Sequence, residues 1–139
     1  MFTGIVTDIG EITSVTPGGN RDDRRFVVRT KHDMAPIAIG ASIACSGCCL
    51  TVVEKGADWF AVEVSGESLA KTHLGDWKLG SRINLELSLK LGDELGGHLV
   101  YGHVDGVGRI ASISRPGSGW FHRAPCRETR WKAGQGEHR

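Results

Sequence analysis

"ASIACSGCCLTV", residues 41–52, holds two short apolar runs joined by Ser46-Gly47. A small polar residue followed by glycine between alternating runs fits a two-residue β-hairpin, because such a turn needs positive φ at its centre. The stretch therefore predicts that a strand around Ile43 pairs with a strand around Leu50. Successive side chains on a strand point to opposite faces. Cys49 and Thr51 then face one way, and Cys48 and Leu50 the other.

The same grammar runs through most of the chain. In "RINLELSLK" (82–90), Ile83, Leu85, Leu87 and Leu89 share one face while Arg82, Asn84, Glu86 and Ser88 share the other, the pattern of a half-buried strand. "WFAVEV" (59–64), "RFVVRT" (25–30), "CLTVVEK" (49–55) and "GVGRIASIS" (106–114) are also short, rich in β-formers and bounded by glycine or charge. Turn signals fall at 17–20, 39–42, 55–58 and 79–82. Only "GESLAKTHLG" (66–75) reads as a helix, with Ser65 or Glu67 near its start and Gly75 as its stop. These features predict an all-β fold of six or seven strands, in the form of a small closed antiparallel barrel, since closure leaves no unpaired strand edge. A two-sheet sandwich is the alternative.

With 139 residues, the chain has room for one domain and a tail. Its 17 Lys and Arg nearly balance 16 Asp and Glu, which gives no global drive toward nucleic acid or an anionic membrane. The distribution is uneven, however. Residues 1–114 are acidic overall, whereas 115–139 carry five Arg and one Lys against two Glu and contain two of the four Trp. This last stretch has no alternation and reads as an irregular, atypical basic tail. Neither a signal-like apolar segment nor the roughly 20 apolar residues of a membrane helix is present, so a cytoplasmic location is expected. In that compartment Cys45, Cys48, Cys49 and Cys126 are expected as free thiols.

Three groups of residues could carry chemistry. Cys45, Cys48, Cys49, His98 and His103 are ligand types for zinc, but adjacent strand cysteines cannot both reach one ion and the His spacing is not that of a zinc finger; no metal site is expected. A nucleophilic cysteine would need a neighbouring cation or imidazole, for which His103 is the candidate. The glycine-rich run 91–108 would let backbone approach a ligand closely.

Taken together, "MFTGIV" (1–6), "GASIACSGCCLTV" (40–52), "GESLAKTHLGDWKLGSRINLE" (66–86) and "DELGGHLVYGHVDG" (93–106) occur in an order and spacing that resemble the amino-terminal half of the riboflavin synthase, or lumazine-binding barrel, family. The resemblance covers residues 1 to about 114. It implies a six-stranded antiparallel Greek-key barrel with one short helix. Family members usually carry two such barrels, assemble as trimers, and convert two molecules of 6,7-dimethyl-8-ribityllumazine into riboflavin and a ribitylamino-diaminouracil without metal or redox cofactor. Related members bind lumazine or riboflavin without turnover, and isolated barrels pair as dimers.

By the same resemblance, the ligand ring would lie against Gly4, Ile5 and Val6, the strand Cys49, Leu50 and Thr51, the loop Glu63, Val64, Ser65, Gly66, Glu67 and Ser68, and the wall Gly102, His103 and Val104. Cys49 and His103 would face the reacting carbons, and Phe2 would shape the mouth. The expected partners are a small-molecule lumazine or riboflavin and further copies of the chain, with no nucleic acid and no membrane. A second copy of the barrel pattern is absent after residue 114. The tail in its place looks like a truncated or out-of-frame continuation.

Overall fold

In a computed structural model, which describes residues 1–104, 109–114, 117 and 121–123, the sequence forms six barrel strands. They are β1 (Asp8–Pro17), β2 (Arg24–Arg29), β3 (Ser42–Cys45), β4 (Cys48–Lys55), β5 (Trp59–Val64) and β6 (Arg82–Leu87). The strands close in the order β1-β2-β5-β4-β3-β6, and every neighbouring pair is antiparallel. β3, β4 and β5 form successive hairpins and β2 returns beside β5, which is a Greek-key path. The expected fold class is thus what the chain adopts.

The membership of the six differs from the expectation in one place. β1, "DIGEITSVTP", joins the barrel, whereas among the described residues 109–114 the strand is Ser112–Ser114 (β7), which pairs with Phe121–Arg123 (β8) in a separate two-stranded sheet. The chain divides into compact units Met1–Val104 and Asp105–Arg139. Most of the basic tail, Cys126 included, lies outside the described residues.

Alternation fills the interior. Ile12, Phe26, Val28, Ile43, Leu50, Val52, Phe60, Val62, Ile83 and Leu85 form one buried cluster with Cys45 and Cys48. Each such side chain contributes on the order of 1.5–3 kcal/mol through removal from water. Trp77, from the loop before β6, caps this core edge-on against Phe26, with ring centroids 5.4 Å apart at 81°, the arrangement an aromatic quadrupole favours.

One local expectation holds in detail, and the other holds at its start, with the helix ending at Lys71 and not at Gly75. Cys45 pairs with Cys48 across the turn, and Ser46 (φ 48°) and Gly47 (φ 88°) both have positive φ, the requirement of a type I′ hairpin. The helix α1 runs Gly66–Lys71 with Ser65 as its N-cap, whose hydroxyl accepts from the Ser68 amide. A single 3-10 turn, His73–Asp76, follows it and contains Gly75. Among the described residues no helix is long and apolar enough to cross a membrane.

Candidate functional site

On the outer face of the barrel, one covered row crosses the place where β3 and β6 meet. Glu86 pairs with Ala44, and Ala44 pairs in turn with Cys49, so these three side chains form a row across β6, β3 and β4. Alternation puts that row outside the barrel, yet Glu86 is only 8% and Ala44 only 6% exposed. Something must cover them.

The cover is the amino-terminal segment. Phe2 pairs with Val100 as an antiparallel bridge, with amide-to-carbonyl distances of 2.8 and 3.0 Å. The Thr3 carbonyl accepts from the His98 amide at 2.8 Å. The segment Phe2–Gly4 is thereby woven to the glycine-rich run and laid over β6, where the Glu86 carboxyl accepts from the Thr3 and Gly4 amides and the Thr3 hydroxyl. Phe2 is 1% exposed, although it stands apart from the interior cluster. It packs outside the barrel.

Between this cover and the strands lies a cleft of about 100 Å³, lined by Phe2, Gly4, Val6, Val100 and Gly102 of the cover and the glycine-rich run and by Ala44, Gly47, Asn84, Leu85 and Glu86 of the barrel strands and hairpin. Gly102 is held over β4 because the Cys49 amide donates to its carbonyl at 2.8 Å. Its φ of 75° and the 3.0 Å that would separate an added Cβ from that of Cys49 make any other residue strained and tight there.

The residues implicated by the sequence therefore fall into three groups. Phe2, Gly4, Val6 and Gly102 line the cleft, and Cys49, half-buried, borders it through Ala44 and Gly102. Ile5, Thr51, His103 and Val104 are exposed nearby in sequence but do not line it. Leu50 and Val64 point into the barrel interior. The third group is the β5–α1 connection. Glu63, Ser65 and Glu67 are exposed there, while Gly66 and Ser68 are half-buried. The Gly66 amide is taken by Asp23 Oδ1 at 3.1 Å, and Ser65 Oγ donates to Ser68 Oγ at 3.0 Å. That leaves the Ser68 hydroxyl hydrogen available to an outside acceptor. Glu67 pairs with Lys71 at 2.6 Å, which lowers its pKa, a pairing within the helix. β4 and β5 pair at Val52 and Val62, and the connection leaves β5 after Val64.

Reasoning from sequence did not single out Ala44, Gly47, Asn84, Leu85, Glu86 or Val100. The signal that would have found Ala44 is its place opposite Cys49 in the hairpin. The pairing between Phe2 and Val100 spans most of the domain and leaves no local trace. As for the thiols, Cys45 and Cys48 lie in the core, and burial pushes both thiols above their ordinary range. The Sγ–H of Cys45 contacts the Ile43 carbonyl at 3.8 Å, so Cys45 and Cys48 serve as packing groups. Tyr101 and His103 have ring centroids 6.1 Å apart, on the exposed side of the glycine-rich run.

Residues 3–88 match the family model of the lumazine binding domain. The chain is 54% identical over 115 residues to riboflavin synthase of Brucella abortus, an alignment covering 79% of this chain and 56% of that protein. Over 113 residues it is 43% identical to riboflavin synthase of Mycobacterium tuberculosis, covering 81% and 55% of the two chains. It thus spans about half the length of the curated relatives it matches. Among solved structures it resembles LumP complexed with riboflavin, with a TM-score of 0.68 and 26% identity over 84% of this chain and 62% of that one. LumP complexed with 6,7-dimethyl-8-(1'-D-ribityl) lumazine matches with the same TM-score and identity.

Proposed function

The chain belongs to the lumazine-binding domain family, and on that premise we propose that it is a single-barrel module of riboflavin synthase type, which binds one 6,7-dimethyl-8-ribityllumazine or riboflavin per barrel in the outer-face cleft. The observation that carries this reading is the cleft itself. It is small and partly apolar, and Phe2, Gly4, Val6 and Gly102 in its lining are contributed by two of the motifs that define the resemblance.

The edge of a fused bicyclic ring would enter between Gly4 and Gly102, where bare backbone allows close approach. The remainder of the ring would extend over Ala44 and Cys49 toward Thr51 and Ser68. Those two hydroxyls suit the ring carbonyls or the ribityl chain. Cys49 adds a polarisable, half-buried contact, and His103, exposed one residue beyond Gly102, offers an imidazole for hydrogen bonding.

The dismutation needs two lumazines face to face: a methyl next to the imine of one loses a proton, and the resulting carbanion attacks the other. Holding both reactants supplies most of the acceleration, because a bimolecular step becomes nearly unimolecular. No metal or redox cofactor enters this scheme. One barrel supplies half of the arrangement, so turnover requires a second barrel beside this one. The alternative reading, a binding module without turnover, is favoured by the likeness to LumP, solved in complex with riboflavin and with 6,7-dimethyl-8-(1'-D-ribityl) lumazine.

A fluorescence titration with 6,7-dimethyl-8-ribityllumazine, followed over hours for the growth of the riboflavin spectrum, separates the readings. Saturable binding with riboflavin formation faster than in a protein-free control supports the enzyme. Binding without acceleration supports the carrier. Absence of binding refutes both.

A further inference from the structure

We propose that Glu86 is a positioning residue for ligand binding: it clamps Phe2–Gly4 onto the barrel and so sets one wall of the cleft. The inference rests on the reading of that cleft as the ligand site.

Strand β6 would leave Glu86 in water, since Arg82 and Asn84 on the same face are exposed. Glu86 is instead 8% exposed, and among the described residues no ion pair involves it. A carboxyl group removed from water without a cation is costly unless donors converge on it. Three do. Oε1 accepts from the Thr3 amide and from the Thr3 hydroxyl at 2.7 Å, while Oε2 accepts from the Gly4 amide at 3.1 Å. Both oxygens are therefore committed to two consecutive residues of one segment, and the Thr3 hydroxyl, which also accepts from the Ile5 amide at 3.1 Å, extends the clamp by one more residue.

Among the described residues, the hydrogen bonds that join Met1–Val6 to β1–β6 are those to Glu86. The backbone ties of this segment run to Leu89, His98 and Val100, all in the irregular run after β6. Glu86 thus fastens the segment to the barrel directly, beside the Thr7 amide that donates to the Leu85 carbonyl and the Cys49–Gly102 bond that holds the glycine-rich run. Its side chain also faces the cleft together with Phe2 and Gly4, so a shift of the clamp moves the residues a ligand would touch.

The test compares the full chain with Glu86→Gln and Thr3→Val, using riboflavin as the probe. Glu86→Gln keeps the shape but turns one acceptor into a donor facing N–H groups. It is expected to weaken riboflavin binding by about tenfold or more, to speed amide exchange at Thr3 and Gly4 while Phe60 and Val62 stay protected, and to change the shape of the visible circular dichroism of bound riboflavin at saturation. That last readout isolates positioning, because general destabilisation would lower the bound fraction without altering the spectrum of what is bound. Thr3→Val removes one of the three donors and is expected to give a smaller loss, two- to fivefold. Riboflavin affinity within twofold of wild type in Glu86→Gln, or an unaltered bound spectrum, overturns the proposal. Should Glu86→Gln fail to fold, wild-type affinity in Thr3→Val overturns it. A wild-type chain that binds neither riboflavin nor lumazine overturns the reading of the cleft itself.

Discussion

Cys49 and Gly102 meet backbone to backbone: the Cys49 amide donates to the Gly102 carbonyl at 2.8 Å, and a Cβ on Gly102 would stand 3.0 Å from that of Cys49 and 3.1 Å from its nitrogen. This contact joins the hairpin to the glycine-rich run and closes one end of the cleft.

Gly102→Ala and Gly47→Ala should therefore behave differently. Gly47 has φ 88° with nothing within 4 Å of an added Cβ, so alanine there incurs only the left-handed backbone cost of roughly 1–2 kcal/mol. Gly102→Ala adds a clash with the backbone of Cys49. We expect it to cost at least about 1 kcal/mol more and to weaken riboflavin binding as well. Urea unfolding of both variants, with riboflavin titration alongside, checks the difference; equal stabilities would contradict it.

Neighbouring cysteines give a second contrast. Cys48 is buried in the core while Cys49 is half-buried on the outer face. Cys48→Ser should cost about 1–3 kcal/mol, the penalty of a hydroxyl in an apolar site, whereas Cys49→Ser should change stability by less than about 0.5 kcal/mol. With burial raising the pKa of Cys45 and Cys48, iodoacetamide at pH 8 should label Cys49 well before either of them, as peptide mass mapping would show. Prior labelling of Cys45 would refute the assignment of faces.

Much of this arrangement could be read from the sequence, and the exceptions have physical reasons. The Ser46-Gly47 hairpin, β5 and β6 follow from alternation and turn chemistry, because both are local. β1 escaped because its pattern is broken: Gly10 is buried with no side chain to mark the face, and the pairing with β2 slips between Ile12 and Ser14. Conversely, "GVGRIASIS" alternates well enough to suggest a barrel strand, but alternation does not say which strand is the partner. Phe2, Gly4 and Gly102 came from the family resemblance. Glu86 was seen as one more polar residue on a solvent face, since the segment that buries it lies 82 and 83 positions away.

Acid should weaken the β1–β2 corner. Asp8 is partly buried, which raises its pKa, but hydrogen bonds from the Thr30 hydroxyl and the Lys31 and Ile9 amides, together with His32, outweigh this and hold it below its ordinary 3.8. Because the folded-state value is lower than that of the unfolded chain, the ionised group stabilises the fold fully above pH 3.8 and the contribution is lost as pH falls through the folded-state value. Asp8→Asn should therefore be less stable than wild type near neutrality, with the gap narrowing in acid. Unfolding curves at pH 6 and pH 3 measure it, and a gap that widens in acid would refute the sign.

The start of α1 offers a smaller effect. Ser65 caps the helix through the Ser68 amide at 3.2 Å, so Ser65→Ala should destabilise by about 1 kcal/mol. Ser65→Asp, which restores an acceptor at the cap, should recover most of it in thermal melts.

Strand β4 carries two messages in alternate letters. Cys48, Leu50 and Val52 face the interior cluster, while Cys49 and Thr51 face outward, toward the cleft side of the barrel. The odd positions can therefore be rewritten while the even ones keep the fold, so the surface of this strand can change its chemistry without passing through an unfolded ancestor.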